Sequence, residues 1–297
     1  MYYKLSDYLK KRFGTKVWKV PVDAGFSCPN RDGHKSEGGC IYCSVDSFSG
    51  SETGSISFQV KSRIEKLKKR KISKYIIYFQ SYSNTYGDVD TIRKRVEESL
   101  IDEGIVALHI GTRPDVVDED KLQYFKDLSD RYEVVIEYGL QSCSDSTLKL
   151  INRGHTVQDF IDAVELTHRF GIKTCAHLIF GLPGDSRQDM MKSVELVNSI
   201  GVHSVKFHHL HVVKGTELAK QYEAGKLSLL TEDEYIDILS EAIGMLRSDI
   251  VVSRIVGDAS GDTLIAPVWE FSKGEFENRL KDRMKHKGIV QGSLSGL

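Results

Sequence analysis

Residues 173–191 read KTCAHLIFGLPGDSRQDMM. A nearly continuous apolar run stops at a Gly-Leu-Pro-Gly turn, and Asp185 and Ser186 then stand where a helix is capped. A strand that is apolar on both faces needs cover on both, as in a parallel sheet lined by helices. The same strand, turn and helix pattern recurs in both directions along the chain. Strand candidates are KVWKVPV (16–22), KYIIYFQ (74–80), IVALHI (105–110), EVVIEYG (133–139), KTCAHLIFG (173–181) and SVKFHHL (204–210). Helical patterns fall between them near 57–70, 89–103, 119–130, 156–170 and 186–200.

This βαβα order predicts an α/β fold with a parallel sheet and right-handed crossovers. About six units suit a partial (β/α)6, TIM-like barrel, with an open doubly wound sheet as the alternative. Both architectures place chemistry at the carboxyl ends of the strands. There the polar segments QSYSNTYG (80–87), GTRPD (111–115), QS (141–142) and GLPGD (181–185) fall. Residues 1–215 are expected to form the barrel core, with its lead-in and a cysteine-bearing loop. Residues 216–297 are expected to form an α/β extension packed on the barrel. That extension holds helices at 216–224 and 231–247, a strand at 249–256 and a loop-rich tail.

No apolar run approaches the ~20 residues of a membrane span, and the amino-terminal stretch lacks the apolar region of a signal peptide. The net charge of −1 excludes a polyanion binder by bulk charge. Two local basic runs stand out, KSRIEKLKKRKISK (61–74) and KGEFENRLKDRMKHK (273–287). Each reads as a solvated helix face or as a patch for phosphates. Five cysteines, odd in number and unevenly spread, argue against a disulfide framework and for a reducing cytoplasm.

Three of those cysteines, Cys28, Cys40 and Cys43, lie in CPNRDGHKSEGGCIYC (28–43). A structural zinc takes four protein ligands, and His34 is the candidate fourth. Three thiolates without a fourth suit instead a [4Fe–4S] cluster with one iron left open to a cosubstrate. Gly38 and Gly39 allow the tight turn that either site needs. Cys175 reads as a small core residue, and Cys143 as either packing or site lining.

The CIYC element, with the rim segments above, resembles the radical S-adenosylmethionine (SAM) superfamily, whose usual signature is CxxxCxΦC with Φ aromatic. The first gap departs from it, with eleven residues in place of three, and in this it is similar to the Elongator catalytic subunit. IGTRPD (110–115), EYGLQS (137–142) and INRGHT (151–156) resemble stretches of that group. VPVDAGFSCPNRDG, YFQSYSNTYG and GD…LIAPVWEFSK resemble the YtqA/YhcC family over nearly the whole chain.

The resemblance implies that Cys28, Cys40 and Cys43 ligate three irons and that SAM chelates the fourth. It implies a place for Tyr42 beside the adenine, and for Gln80 and Ser81 where many members hold the methionyl amine. From EYGLQS and INRGHT it implies SAM contacts by Gln141, Ser142 and Arg153, with Arg153 on the SAM carboxylate. His177 stands where some relatives have Asp, and Gly111 where the Elongator-like version has a Glu. The cluster KFHHLH (206–211) offers Lys206, His208 and His209 as candidate catalytic groups, and Arg254 as a partner for an anionic group such as a substrate carboxylate.

The family is linked to the wobble-uridine pathway of tRNA. The reaction implied is removal of the carboxymethyl part of 5-carboxymethylaminomethyluridine to leave 5-aminomethyluridine. The expected partners are then tRNA and a reducing electron donor of flavodoxin or ferredoxin type, with no membrane and no obligate protein partner. Tyr82, Tyr86 and Trp269 are candidates to stack on an exposed base, and the tail GDASGDTLIAPVW is a candidate to close the barrel mouth. Two other readings stand beside this one: action on a small molecule or peptide, and a non-catalytic, zinc-stabilised nucleic-acid-binding module.

Overall fold

The computed structural model describes residues 1–44, 54–257 and 261–295. The chain opens with helix α1 (Leu5–Phe13) and strand β1 (Val17–Val22). Helix α2 (Ile56–Lys69), β2 (Lys74–Phe79), α3 (Val89–Ser99), β3 (Ile105–Thr112), α4 (Glu119–Leu128) and β4 (Glu133–Gln141) follow. Next come the short α5 (Asp145–Leu150), α6 (Val157–Arg169), β5 (Lys173–Phe180), α7 (Arg187–Ser199) and β6 (Ser204–His209). The last third holds β7 (Val212–Val213), α8 (Glu217–Glu223), α9 (Glu232–Met245), β8 (Val251–Arg254), β9 (Leu264–Ala266) and α10 (Lys273–His286).

All six expected strands pair in parallel and in sequence order, and β8 adds a seventh beside β6. The sheet is thus an open, curled half-barrel. Because β8 lies beyond residue 215, the segment expected as an extension contributes a strand to the sheet besides packing on it. The tail also differs from a loop: residues 273–286 form a helix. Its run of polar side chains hides an apolar stripe, Phe276, Leu280 and Met284, at four-residue spacing.

Alternation within each strand explains the layers. In β2, Tyr75, Ile77 and Phe79 face the helices and join the main core, whereas Ile76 packs with Ala107 and Leu9 inside the curl. In α2, Ile56, Val60, Ile64 and Leu67 recur at helical spacing and are buried against the sheet. Ser186 caps α7, in a reciprocal box with Asp189, as the GDSRQDMM stretch suggests.

Helix α1 closes the amino-terminal end of the curl. The Tyr8 hydroxyl donates to Glu133 Oε2 at 2.6 Å, and Lys173 Nζ reaches the same carboxylate at 2.6 Å. Just ahead of α1, the Tyr3 carbonyl accepts from Val252 N, so the edge of β8 is covered. The opposite, carboxyl end of the strands stays open, and there the polar segments gather.

Candidate active site

The eleven residues between Cys28 and Cys40 fold back on themselves. Arg31 N and Asp32 N donate to the Cys28 carbonyl, and Asp32 pairs with Glu37. Gly38 and Gly39, at φ 80° and 84°, turn the chain so that Gly39 N reaches the Asn30 carbonyl at 2.7 Å. The long gap is therefore a closed excursion that returns Cys40 to the cavity that Cys28 also lines. Ile41 N on the Ile151 carbonyl, and Leu218 N on the Ile41 carbonyl, fix the far side of the loop.

Cys40 is buried and Cys28 and Cys43 are half-buried. Burial pushes the Cys43 thiol up, and Cys40 adds to the shift, while Arg31 opposes it. Among the described residues, the one trio of ligand atoms lying within 4.8 Å of one another is Glu137, Cys175 and His177. The three loop sulfurs are thus too widely spread to meet on one zinc, where Zn–S bonds of ~2.3 Å would hold them about 3.8 Å apart. His34 is exposed beside Tyr86 and does not line the cavity formed by the thiols. The zinc reading of the loop fails on both counts. A sulfur trio spread around a space larger than one ion fits a cluster.

Strand β4 carries the next tier. Its register slips between Gly139 and Gln141, and Gln141 sits at φ 74°. A Cβ on Gly139 would lie 2.4 Å from Gln141 Nε2 and 2.7 Å from Arg153 Nη2. Glycine here therefore lets both side chains lie across the strand. Arg153 Nη2 donates to the Gly139 carbonyl at 2.9 Å, and Nη1 stands 3.8 Å from Cys40 Sγ. Its Nε is buried with no hydrogen-bond partner, an orphan donor beside the thiols.

Behind it the GTRPD segment is tied to the INRGHT segment. Arg113, 1% exposed, clamps Asp115 through two bonds and donates Nη1 to the Arg153 carbonyl at 2.6 Å. Gly111 is also required as glycine, since a Cβ would meet the Phe79 carbonyl at 2.9 Å. No Glu fits at that place in this chain.

Below this tier the half-barrel is filled with charge. The Glu137 side chain is fully buried. It is bonded to His109 Nδ1 at 2.6 Å, His177 Nε2 at 2.9 Å, Lys19 Nζ at 3.3 Å and Lys206 Nζ. Lys206 also donates to the Tyr78 hydroxyl at 3.0 Å. Burial opposes ionisation of Glu137, but the Lys19 and Lys206 charges outweigh it and hold its carboxyl well below the usual range. Burial and the neighbouring cations lower His109 and His177 to about 4, so both imidazoles are neutral at pH 7. The signal for this cluster was the recurrence of charged or titratable residues at alternating positions of otherwise apolar strands.

One cavity of about 280 Å³ connects the tiers. Of the residues singled out from the sequence, it is lined by Cys28, Cys40, Cys43, Tyr42, Gln80, Ser81, Gln141, Arg153, His177, His208, His209 and Arg254. Two others stand apart. Ser142 is buried away from the cavity, its hydroxyl given to Asp185 Oδ1 at 2.9 Å. Lys206 lies beneath the floor, locked onto Glu137. Among the aromatics, Tyr82 is 39% exposed at the mouth, whereas Trp269 stacks on His209 at 4.0 Å and packs with Phe276, which leaves it no face for a base. Of the tail, residues 258–260 lie outside the described residues, and Leu264–Ala266 is pinned to Val212–Val213 as an antiparallel ribbon.

The two basic runs are held in different ways. Helix α2 runs back from the carboxyl end of β1, so Lys68, Lys69 and Arg70 sit at the opposite end of the barrel. There Lys68 pairs with Asp102 at 2.7 Å and Arg70 covers Trp18. In α10, Arg279 and Arg283 are paired with Glu232 and Asp233 of α9, and Lys287, just past its end, pairs with Asp237.

Residues 31–197 match the Radical SAM superfamily model, and residues 202–286 match the Radical SAM C-terminal domain. The chain belongs to the radical SAM superfamily. Its cofactors are accordingly a [4Fe–4S] cluster and SAM. It is 36% identical to Bacillus subtilis protein YtqA over 99% of this chain and 92% of that one. It is 28% identical to the tRNA uridine(34) acetyltransferase of Methanocaldococcus infernus over 96% of this chain, spanning 60% of that protein. Among solved structures, the archaeal Methanocaldococcus infernus Elp3 with its N-terminus deleted superposes with a TM-score of 0.72 at 22% identity. That match covers 93% of this chain and 64% of the other. Among the described residues no helix is long and apolar enough to cross a membrane.

Proposed function

We propose that this radical SAM enzyme modifies the wobble uridine of tRNA, taking 5-carboxymethylaminomethyluridine to 5-aminomethyluridine. The supporting observation is a single cavity that runs from three thiols, past an arginine with an unpaired buried donor, to a charged floor. The substrate class is supported by the relative named as a tRNA uridine(34) acetyltransferase, which aligns with nearly the whole chain. When bound, the cluster supplies the electron that splits SAM and yields a 5′-deoxyadenosyl radical for hydrogen abstraction.

Cys28, Cys40 and Cys43 would hold the cluster, and Arg153 would grip the SAM carboxylate through its planar fork. Gln141, Gln80 and Ser81 line the same wall and would orient the rest of SAM, with Tyr42 beside the adenine and His177 near the floor. The depth of the half-barrel would exclude water from the reacting atoms. A reducing flavodoxin or ferredoxin would deliver the electron.

A second reading, action on a small molecule or peptide, is favoured by one observation: the basic run of α2 ends away from the mouth, and three cations of the other run are held by carboxylates. Deleting the gene and profiling tRNA nucleosides by mass spectrometry separates the two. Accumulated 5-carboxymethylaminomethyluridine supports the first reading, and unchanged wobble uridines eliminate it. In the purified protein, Cys40→Ala should lose the iron; full iron retention would refute the ligand set.

A further inference from the structure

We propose that the floor of the cavity is a receptor for a carboxylate of the substrate, held by Arg254 between His208 and His177. The proposal rests on the site assigned above but not on the substrate being RNA.

Register puts these groups together. His177 pairs with Lys206 across β5 and β6, and Lys206 pairs with Arg254 across β6 and β8. His208 lies two residues beyond Lys206 and so on the same face, with its ring 5.9 Å from that of His177. The backbone at Gly257 closes over His208, where a Cβ would come within 3.0 Å of Nδ1. Arg254, His208, His177 and Tyr78 all line the floor.

The charge does not balance. Glu137 is already claimed by Lys206 and Lys19, and among the described residues no carboxylate pairs with Arg254. Burial, followed by the Arg254 charge, drives the His208 imidazole well below its usual range, so it adds no further positive charge. Among the described residues the lumen therefore holds three cations, Lys19, Lys206 and Arg254, against the one carboxylate of Glu137, and an entering anion relieves the excess. The nearby trio of Glu137, Cys175 and His177 has the donor types of a metal site. Two ammonium groups on its carboxylate oppose a cation there and favour an anion one tier above. A single guanidinium flanked by neutral imidazoles suits a planar monoanion better than a phosphate dianion. Because Arg153 serves the upper tier, a substrate would enter with its carboxylate leading.

The test is calorimetric titration of the anaerobically reconstituted full-length protein with N-benzylglycine, its methyl ester and inorganic phosphate. N-benzylglycine should bind, and the ester should bind more than about tenfold more weakly. Arg254→Gln should abolish that preference, and Arg254→Lys should keep part of it. Since the substitution removes an uncompensated cation, the melting temperature of Arg254→Gln should hold or rise. Equal binding of acid and ester, no binding of either, tighter binding of phosphate, or a retained preference in Arg254→Gln would each overturn the receptor. So would a lowered melting temperature, which would make Arg254 a structural partner. The nucleoside profile of the deletion strain judges the tRNA assignment separately: either result can fail while the other stands.

Discussion

Replacing Glu137 by Gln keeps the shape of the lumen and removes its anion. The carboxylate is wholly enclosed and serves Lys206, itself 0% exposed, together with Lys19 and two imidazoles. Gln leaves both ammonium groups without a counter-charge in a low-dielectric space. Removing one partner of such a buried pair costs about 3–5 kcal/mol. An unfolding entropy of about 2.1 cal/mol/K per residue, over 297 residues, gives about 0.6 kcal/mol per degree. The midpoint should therefore fall by about 5–8 °C. Scanning calorimetry of the variant beside the parent reads this directly. Adding Lys206→Met, which removes the deeper cation, should restore most of the loss. A fall of less than about one degree, or no recovery in the double variant, would refute the reasoning. At a temperature where Glu137→Gln is folded, it should also bind N-benzylglycine more tightly, the opposite sign to Arg254→Gln.

Gly139→Ala should fold, because only the movable ends of Gln141 and Arg153 meet the new methyl, but it should weaken SAM binding by about 10- to 100-fold as a charge-assisted bond is lost. Equilibrium SAM binding to the reconstituted protein checks this. Reversing Lys68, Lys69 and Arg70 to Glu should change tRNA affinity by less than about twofold, because these groups lie at the end of the barrel away from the mouth; a filter-binding titration is the measure. Stability should be full above about pH 6.5 and decline as pH falls toward 4. The unfolded chain protonates His109 and His177 in that window while the native chain holds them neutral. The depressed Glu137 carboxyl extends the loss below its ordinary value of 4.5. Denaturant midpoints at pH about 7 and about 5 test the sign.

The strands were legible because burial on both faces leaves one mark, a run of apolar residues, and that mark is local. The buried stripe of helix α10 was not, since three apolar residues among fourteen are outnumbered by charges, several of which bind it to α9, and the run reads as a solvated face or a phosphate patch. Ser142 shows the same limit in the site. Its motif neighbour Gln141 turns into the cavity on a left-handed backbone, and the next side chain is thereby sent to Asp185.

By itself, the sequence determined the parallel α/β order, the three-thiol loop and the rim motifs, because each depends on residues close together in the chain. The tertiary structure alone decided the charged floor. Lys19, Glu137, Lys206 and Arg254 come from four strands spread over more than two hundred residues, and only the curl of the sheet turns their side chains into one lumen. It also decided the fate of the two basic runs, since the direction of α2 and the carboxylates of α9 are facts of packing. Charge is written along the chain, but its balance is struck in space.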